Sequence, residues 1–239
     1  MSEPPSNLPY SAEPGLGARW GPSRALGGLA ALLVLILIEA TAVAVVDPEI
    51  ESLGATLVLQ AALAITLVAV AVVAARGESG AISAAELGLR SPVRPAVKAS
   101  VLAYLAYIGA AAVIAAFLQP EQEDVTRDLG FGEGAFGSIA AGVLIIGAAP
   151  VSEEVFFRGF MFAGLRRGAP FVVAALISAA VWGLFHFDPQ NPSGSWAVVL
   201  QLSVFGVALA WLYERTGSIW PPIAVHTVNN ALAFAILTS

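Results

Sequence analysis

Cysteine is absent from the 239 residues, which excludes disulfides, thiolate metal sites and cysteine nucleophiles together. Charge is scarce. Asp, Glu, Lys and Arg make up 12% of the chain, against roughly 25% in a soluble domain. Lysine occurs once, at Lys98, and histidine twice, at His186 and His226. No basic patch suited to phosphate backbones is present, so nucleic acid is not expected as a partner. No internal repeat of fixed period is present either. What abounds is apolar side chain, 58% of the residues. A single core cannot hide that much apolar surface. A lipid bilayer can, because a spanning helix needs ~20 predominantly apolar residues.

Residues 1–24 stand apart, being rich in Pro, Ser and Gly, and read as a mobile cytoplasmic tail. Arg19 and Arg24 precede an apolar run too long for a signal-peptide core, so a retained anchor is expected. Apolar runs then fall near 25–46, 53–75, 97–118, 135–166, 169–187, 196–213 and 219–237. The run 135–166 is too long for one straight span and contains Pro150. It is one kinked, tilted helix or two shorter ones. The fold class is therefore all-α, a polytopic membrane bundle of seven to eight helices. Segment 25–134 supplies the first membrane helices and 135–239 the candidate catalytic ones. Loop charges alternate. Basic residues cluster before the first run, at Arg76, Arg90, Arg94 and Lys98, at Arg166 and Arg167, and at Arg215. The positive-inside rule then predicts a multi-pass cell-membrane protein with a cytoplasmic N-terminus.

Ionisable groups inside such runs cost ~2.5–3.5 kcal/mol each at the helix centre, so each needs a reason. In the stretch "PVSEEVFFRGF", Glu154 and Arg158 are four apart and face each other on a helix. Glu153 is rotated by ~100° from Glu154 and projects elsewhere. One glutamate is thus neutralised while the other is left for a different task, such as general base catalysis. A solvated helix end is the plainer alternative. His186 ends an apolar run and, taken alone, suits an interfacial position. His226 and Asn230 share one helix face, either as donors to a substrate or as glue between helices. Asn229, on another face, is assigned to packing. At 1.5 Å per residue, straight helices place Glu153 ~20 Å, His226 ~10 Å and His186 ~24 Å from the cytoplasmic side. A tilt or break of ~10 Å is needed for them to meet.

The order EExxxR, then a histidine closing a helix, then HxxxN, resembles the CPBP family of CAAX prenyl endopeptidases and bacteriocin-processing enzymes. These are intramembrane glutamate-dependent proteases. The resemblance covers roughly 135–237. It implies a helical membrane protein with a polar cavity reached from membrane and cytoplasm. It implies Glu153 as the water-activating glutamate, with Glu154 and Arg158 as its support. His186 would hold or activate water, and His226 with Asn230 would form the oxyanion hole. Position 182 departs from the family's FxxxH pattern by carrying Trp182, which bears on substrate fit. The implied partners are a peptide or membrane-protein substrate and the lipid bilayer, and no cofactor is required. Three alternatives stay open: a divalent metal such as zinc held by Glu153, His186 and His226; a non-proteolytic scaffold or immunity protein; and a proton-coupled transporter.

Overall fold

The structure, a computed structural model, describes residues 16–47, 53–76, 80–118, 134–189 and 191–238. They form seven main helices: α1 (Pro22–Val46), α2 (Leu53–Arg76), α3 (Ala96–Leu118), α4 (Gly134–Arg166), α5 (Phe171–Leu184), α6 (Pro192–Thr216) and α7 (Trp220–Leu237). No strand occurs among the described residues. The all-helical bundle is as the apolar runs predict. The long run is one helix rather than two. Five helices (α1, α2, α3, α4 and α6) are long and apolar enough to cross a membrane. The other two are α7, with 18 residues, and α5, with 14 residues and hence a length of about 21 Å against a hydrocarbon core of ~30 Å.

Local sequence sets the boundaries. Pro22 and Pro192 sit in the first turns of α1 and α6, where a missing N–H costs nothing. The Asn191 side chain caps α6 by accepting from the Gly194 N–H, and Gly217, at φ 64°, closes it. Between α2 and α3, Ser83 and Glu86 form a capping box. Arg19 pairs with Glu86 as well. Hydrogen bonds from Ser83, the backbone N–H foremost, hold the Glu86 carboxyl below the usual carboxylate range. This tie is therefore fully present above the ordinary glutamate pKa and is lost as pH falls through the depressed value.

The bundle is uneven along its length. At one end the starts of α1, α3, α5 and α7 meet the ends of α2, α4 and α6, and the connections are bonded together. Tyr213 donates to the Leu16 carbonyl (3.1 Å), Arg90 Nε to Gly217 (2.7 Å) and Ser218 Oγ to Arg90 (2.5 Å). The Val93 and Ile219 amides bond the Thr216 and Gly88 carbonyls. Arg166 grips Glu214 with two nitrogens. The aromatic core, with Phe156, Phe157, Phe160, Phe162, Phe205 and Tyr213, lies in this half.

The expected tail 1–24 falls partly outside the described residues. Its described part, from Leu16, is fixed. Trp20 is buried and donates to the Phe160 carbonyl at 2.8 Å, and Arg167 donates to the Ala18 carbonyl at 2.8 Å. A stretch read as a tail from its Gly and Pro content thus seals the closed end, because one aromatic anchor outweighs its turn-forming neighbours.

α5 and α6 approach closely through small residues. A Cβ on Gly183 would stand 2.7 Å from the Val199 carbonyl oxygen, and one on Gly206 2.8 Å from the Ala179 Cβ. Backbone at that distance cannot yield. Gly183→Ala should therefore destabilise the bundle by about 1–3 kcal/mol, read as a lower unfolding midpoint in detergent. An unchanged midpoint would refute the close packing.

Candidate active site

The site begins with an irregularity in α4. Residues Val143–Ala148 form a π-helical stretch, in which the Ala149 N–H reaches back to the Leu144 carbonyl. The next bond of that series would run from residue 150 to Ile145. Pro150 has no N–H to give. The Ile145 carbonyl is met instead by the Asn230 side chain, whose Nδ2 donates at 3.0 Å. A bond lost within α4 thereby ties α7 to it. A second π-helical stretch, Glu154–Phe162, follows at once, and all nine of its residues are buried. Such bulges concentrate at functional sites.

Glu154 and Arg158 are withdrawn from solvent, at 0% and 1% side-chain exposure, and bond at 2.9 Å. Glu154 Oε1 also accepts from His226 Nδ1 at 3.0 Å. The carboxylate can only accept, so Nδ1 carries a proton and His226 Nε2 points to the other side, 4.0 Å from Glu153 Oε2. The Arg158 guanidinium lies over the Trp182 ring, 4.6 Å from its centroid. The Trp182 indole N–H donates to Glu153 Oε2 at 2.6 Å. Its ring meets those of both His186 and His226 edge-on. Trp182, on α5, therefore touches Arg158, Glu153, His186 and His226. A phenylalanine at that position would offer the ring without the hydrogen bond.

Glu153 differs from its neighbour in just the way their angular separation predicts. Its side chain is 18% exposed and faces a cavity of about 790 Å³. Glu153, His186, His226 and Asn230 all line that cavity, whereas Glu154 and Arg158 lie behind its wall. His186 is solvent-exposed and bonds the Trp182 carbonyl through Nδ1 at 3.1 Å. Its Nε2 remains an acceptor in the neutral ring. No hydrogen bond or ion pair joins His186 to Glu153 among the described residues. The depth mismatch expected from straight helices is resolved by the shortness of α5. That helix ends at Leu184, so His186 stands at the cavity rather than at a far interface.

Several members of the wall escaped the sequence reading. Asn229, assigned to packing, lines the cavity and donates to Asn230 Oδ1 at 3.4 Å. Gln60, Tyr104, Tyr107 and Gln201 form polar patches on the facing walls, Gln201 donating to the Tyr107 hydroxyl at 3.3 Å. The signal was there: two glutamines within apolar runs. Glu39, bonded by Thr66 between α1 and α2, is a half-buried carboxylate apart from this site. Among the described residues no three His, Asp or Glu side chains are grouped to hold a metal ion. Glu153, His186 and His226 share the cavity without being grouped as ligands; Nδ1 of each histidine is bonded elsewhere, to Glu154 and to the Trp182 carbonyl, which leaves Nε2 as the available nitrogen.

Residues 135–232 match the family described as Type II CAAX prenyl endopeptidase Rce1-like. The match runs from the second residue of α4 through α5 and α6 and over most of α7. The chain is similar to "Putative membrane peptidase YdiL" of Bacillus subtilis (strain 168), 35% identical over 81 residues, which are 34% of this chain and 30% of the relative. It is also similar to "Uncharacterized protein YyaK" of the same organism, 30% identical over 105 residues, 42% of this chain and 34% of the relative. The matched part spans about a third of the length of either relative. No solved structure matches the chain.

Removing one partner of the buried pair leaves the other charge unpaired. Arg158→Met should cost about 3–5 kcal/mol, seen as loss of folded protein in a detergent melt. Full stability in this variant would show that the pair is not the anchor described.

Proposed function

We propose that the protein is an intramembrane endopeptidase in which Glu153 activates water. The observation that carries this reading is the division between two adjacent carboxylates. Glu154 is sealed and doubly bonded, while Glu153 faces the cavity beside two histidines. A peptide bond is stable because water is a poor nucleophile and the amine a poor leaving group. A carboxylate that accepts a proton from water and later returns it addresses both.

The residues divide the work as follows. A water between Glu153 and the Nε2 atom of His186 gives its proton to Glu153 and attacks the substrate carbonyl carbon. The carbonyl oxygen takes up the displaced electron pair. His226 and Asn230 donate hydrogen bonds to it. The Nδ1–H of His226 is committed to Glu154, so donation from Nε2 requires the imidazolium form. Two carboxylates, Glu153 and Glu154, then balance two cations, Arg158 and His226. Asn230 gives one amide hydrogen to Ile145 and keeps the second for the oxyanion. Glu153 returns its proton to the departing amine, the C–N bond breaks, and an acid and an amine are released. No step needs a metal ion. The substrate is a peptide bond of a membrane-associated polypeptide. The cavity, whose lining is mostly apolar with a few polar side chains besides Glu153, Asp188 and the two histidines, suits such a segment.

Glu153→Gln keeps the shape of the site and removes the proton acceptor. Purified in detergent and given a mixed library of hydrophobic and lipidated peptides, it should cleave none that the wild type cleaves, and wild-type cleavage should persist with chelator. Wild-type rates in Glu153→Gln would sink the glutamate mechanism, and chelator-sensitive cleavage would replace it with a metal. On the same peptides, Asn230→Ala should lower the rate by ~10²–10³ if its amide serves the oxyanion.

A further inference from the structure

The two ends of the bundle are built differently, and charge marks which is which. Of the eleven Lys and Arg residues, nine (Arg19, Arg24, Arg76, Arg90, Arg94, Lys98, Arg166, Arg167 and Arg215) lie in the connections or terminal turns of the closed end. Arg158 is buried in the site, and Arg127 lies outside the described residues. The closed end is the one tied by Trp20, Tyr213, Arg90 and Ser218. Below Glu154, α4 is buried without interruption to Leu165. No lining residue of the cavity comes from that segment.

The cavity occupies the other half. It is lined by the opening half of α2 from Gln60, by α3 from Tyr104 outward and by α4 before Glu154. The end of α5 through Asp188, the opening half of α6 and α7 from His226 to Leu237 complete it. Each of these stretches lies at the middle of its helix or on the side away from the basic residues. Gln60 and His186, on its wall, are exposed, so the cavity communicates with the outside of the bundle there. Basic connections stay in the cytoplasm. The closed end is then cytoplasmic, and the cavity opens in the opposite direction.

We propose that this site is reached from the non-cytoplasmic side of the membrane, so that its substrate is a peptide segment exposed on that side. This departs from the cytoplasmic access that the family resemblance implies. The word substrate rests on the peptidase reading above; the direction of access does not. Water, the second reactant, enters by the same route, because the core around Phe156, Phe160 and Tyr213 blocks the other.

The absence of cysteine makes the test clean, since any single cysteine introduced is the sole thiol. Four full-length variants are labelled with a membrane-impermeant maleimide in right-side-out spheroplasts and in inverted vesicles. Pro189→Cys reports the loop between α5 and α6, Gln60→Cys the cavity, and Lys98→Cys and Arg215→Cys the closed end. The expected result is labelling of Pro189→Cys and Gln60→Cys in spheroplasts, with loss of both signals in sealed inverted vesicles. Lys98→Cys and Arg215→Cys should show the reverse. Labelling of Pro189→Cys only in inverted vesicles would overturn the proposal by inverting the protein. Labelling of Pro189→Cys in spheroplasts with Gln60→Cys reactive only in inverted vesicles, or in neither, would overturn it by closing the cavity to that side. The readout uses no substrate, so a cleavage-competent Glu153→Gln would refute the mechanism and leave the access side decided on its own.

Discussion

Everything at the site hangs on the fully buried bond between Glu154 and Arg158. A charge without a partner at that depth would be expelled or would drag water into the core. Paired, the two can be enclosed, and once enclosed they organise what surrounds them. The carboxylate takes a second hydrogen bond from His226 and so fixes the orientation of that ring. The guanidinium supplies a positive face for Trp182, whose N–H then orients Glu153. Three helices, α4, α5 and α7, are thus positioned by one ion pair and its neighbours. A hydrophobic replacement of the same volume would fill the space, but it would specify neither the tautomer of the histidine nor the direction of the free carboxylate.

Much of this was legible in the sequence, and for a reason. Helices in a bilayer announce themselves by long apolar runs, and seven runs became seven helices. Ionisable groups inside such runs are rare enough that each demands an explanation, so Glu153, Glu154, Arg158, His226 and Asn230 could be singled out one by one. The four-residue spacing of Glu154 and Arg158 gave their contact directly. What helical spacing could not give was anything decided between helices. The hydrogen bond from Trp182 to Glu153 crosses from α5 to α4, and the second partner of Glu154 comes from α7. Asn229 looked like packing because its companion took the obvious role. The docking of Leu16 and Trp20 was hidden by the Gly and Pro around them.

Pro150 illustrates how a local defect becomes a long-range constraint. The residue deprives Ile145 of its backbone partner, and a buried carbonyl must find another. Asn230 provides it and is thereby held at one height against α4. The same residue is then fixed relative to Glu153, less than a turn beyond the proline. Registration between two halves of a site often depends on side-chain packing, which tolerates small slips. A directional bond to a single orphaned carbonyl tolerates far less.

The brevity of α5 has a consequence for the lipid. A helix of about 21 Å spans only part of the hydrocarbon thickness, and the chain beyond it, from Phe185 to Asn191, is rich in groups that seek water. A bilayer meeting such a mismatch bends toward it: headgroups dip and the apolar layer thins at that flank. Hydrolysis inside a membrane is limited by supply of the commonest reactant of all. A dimple in the lipid beside His186 would bring the aqueous phase down to Glu153, with no channel bored through the protein.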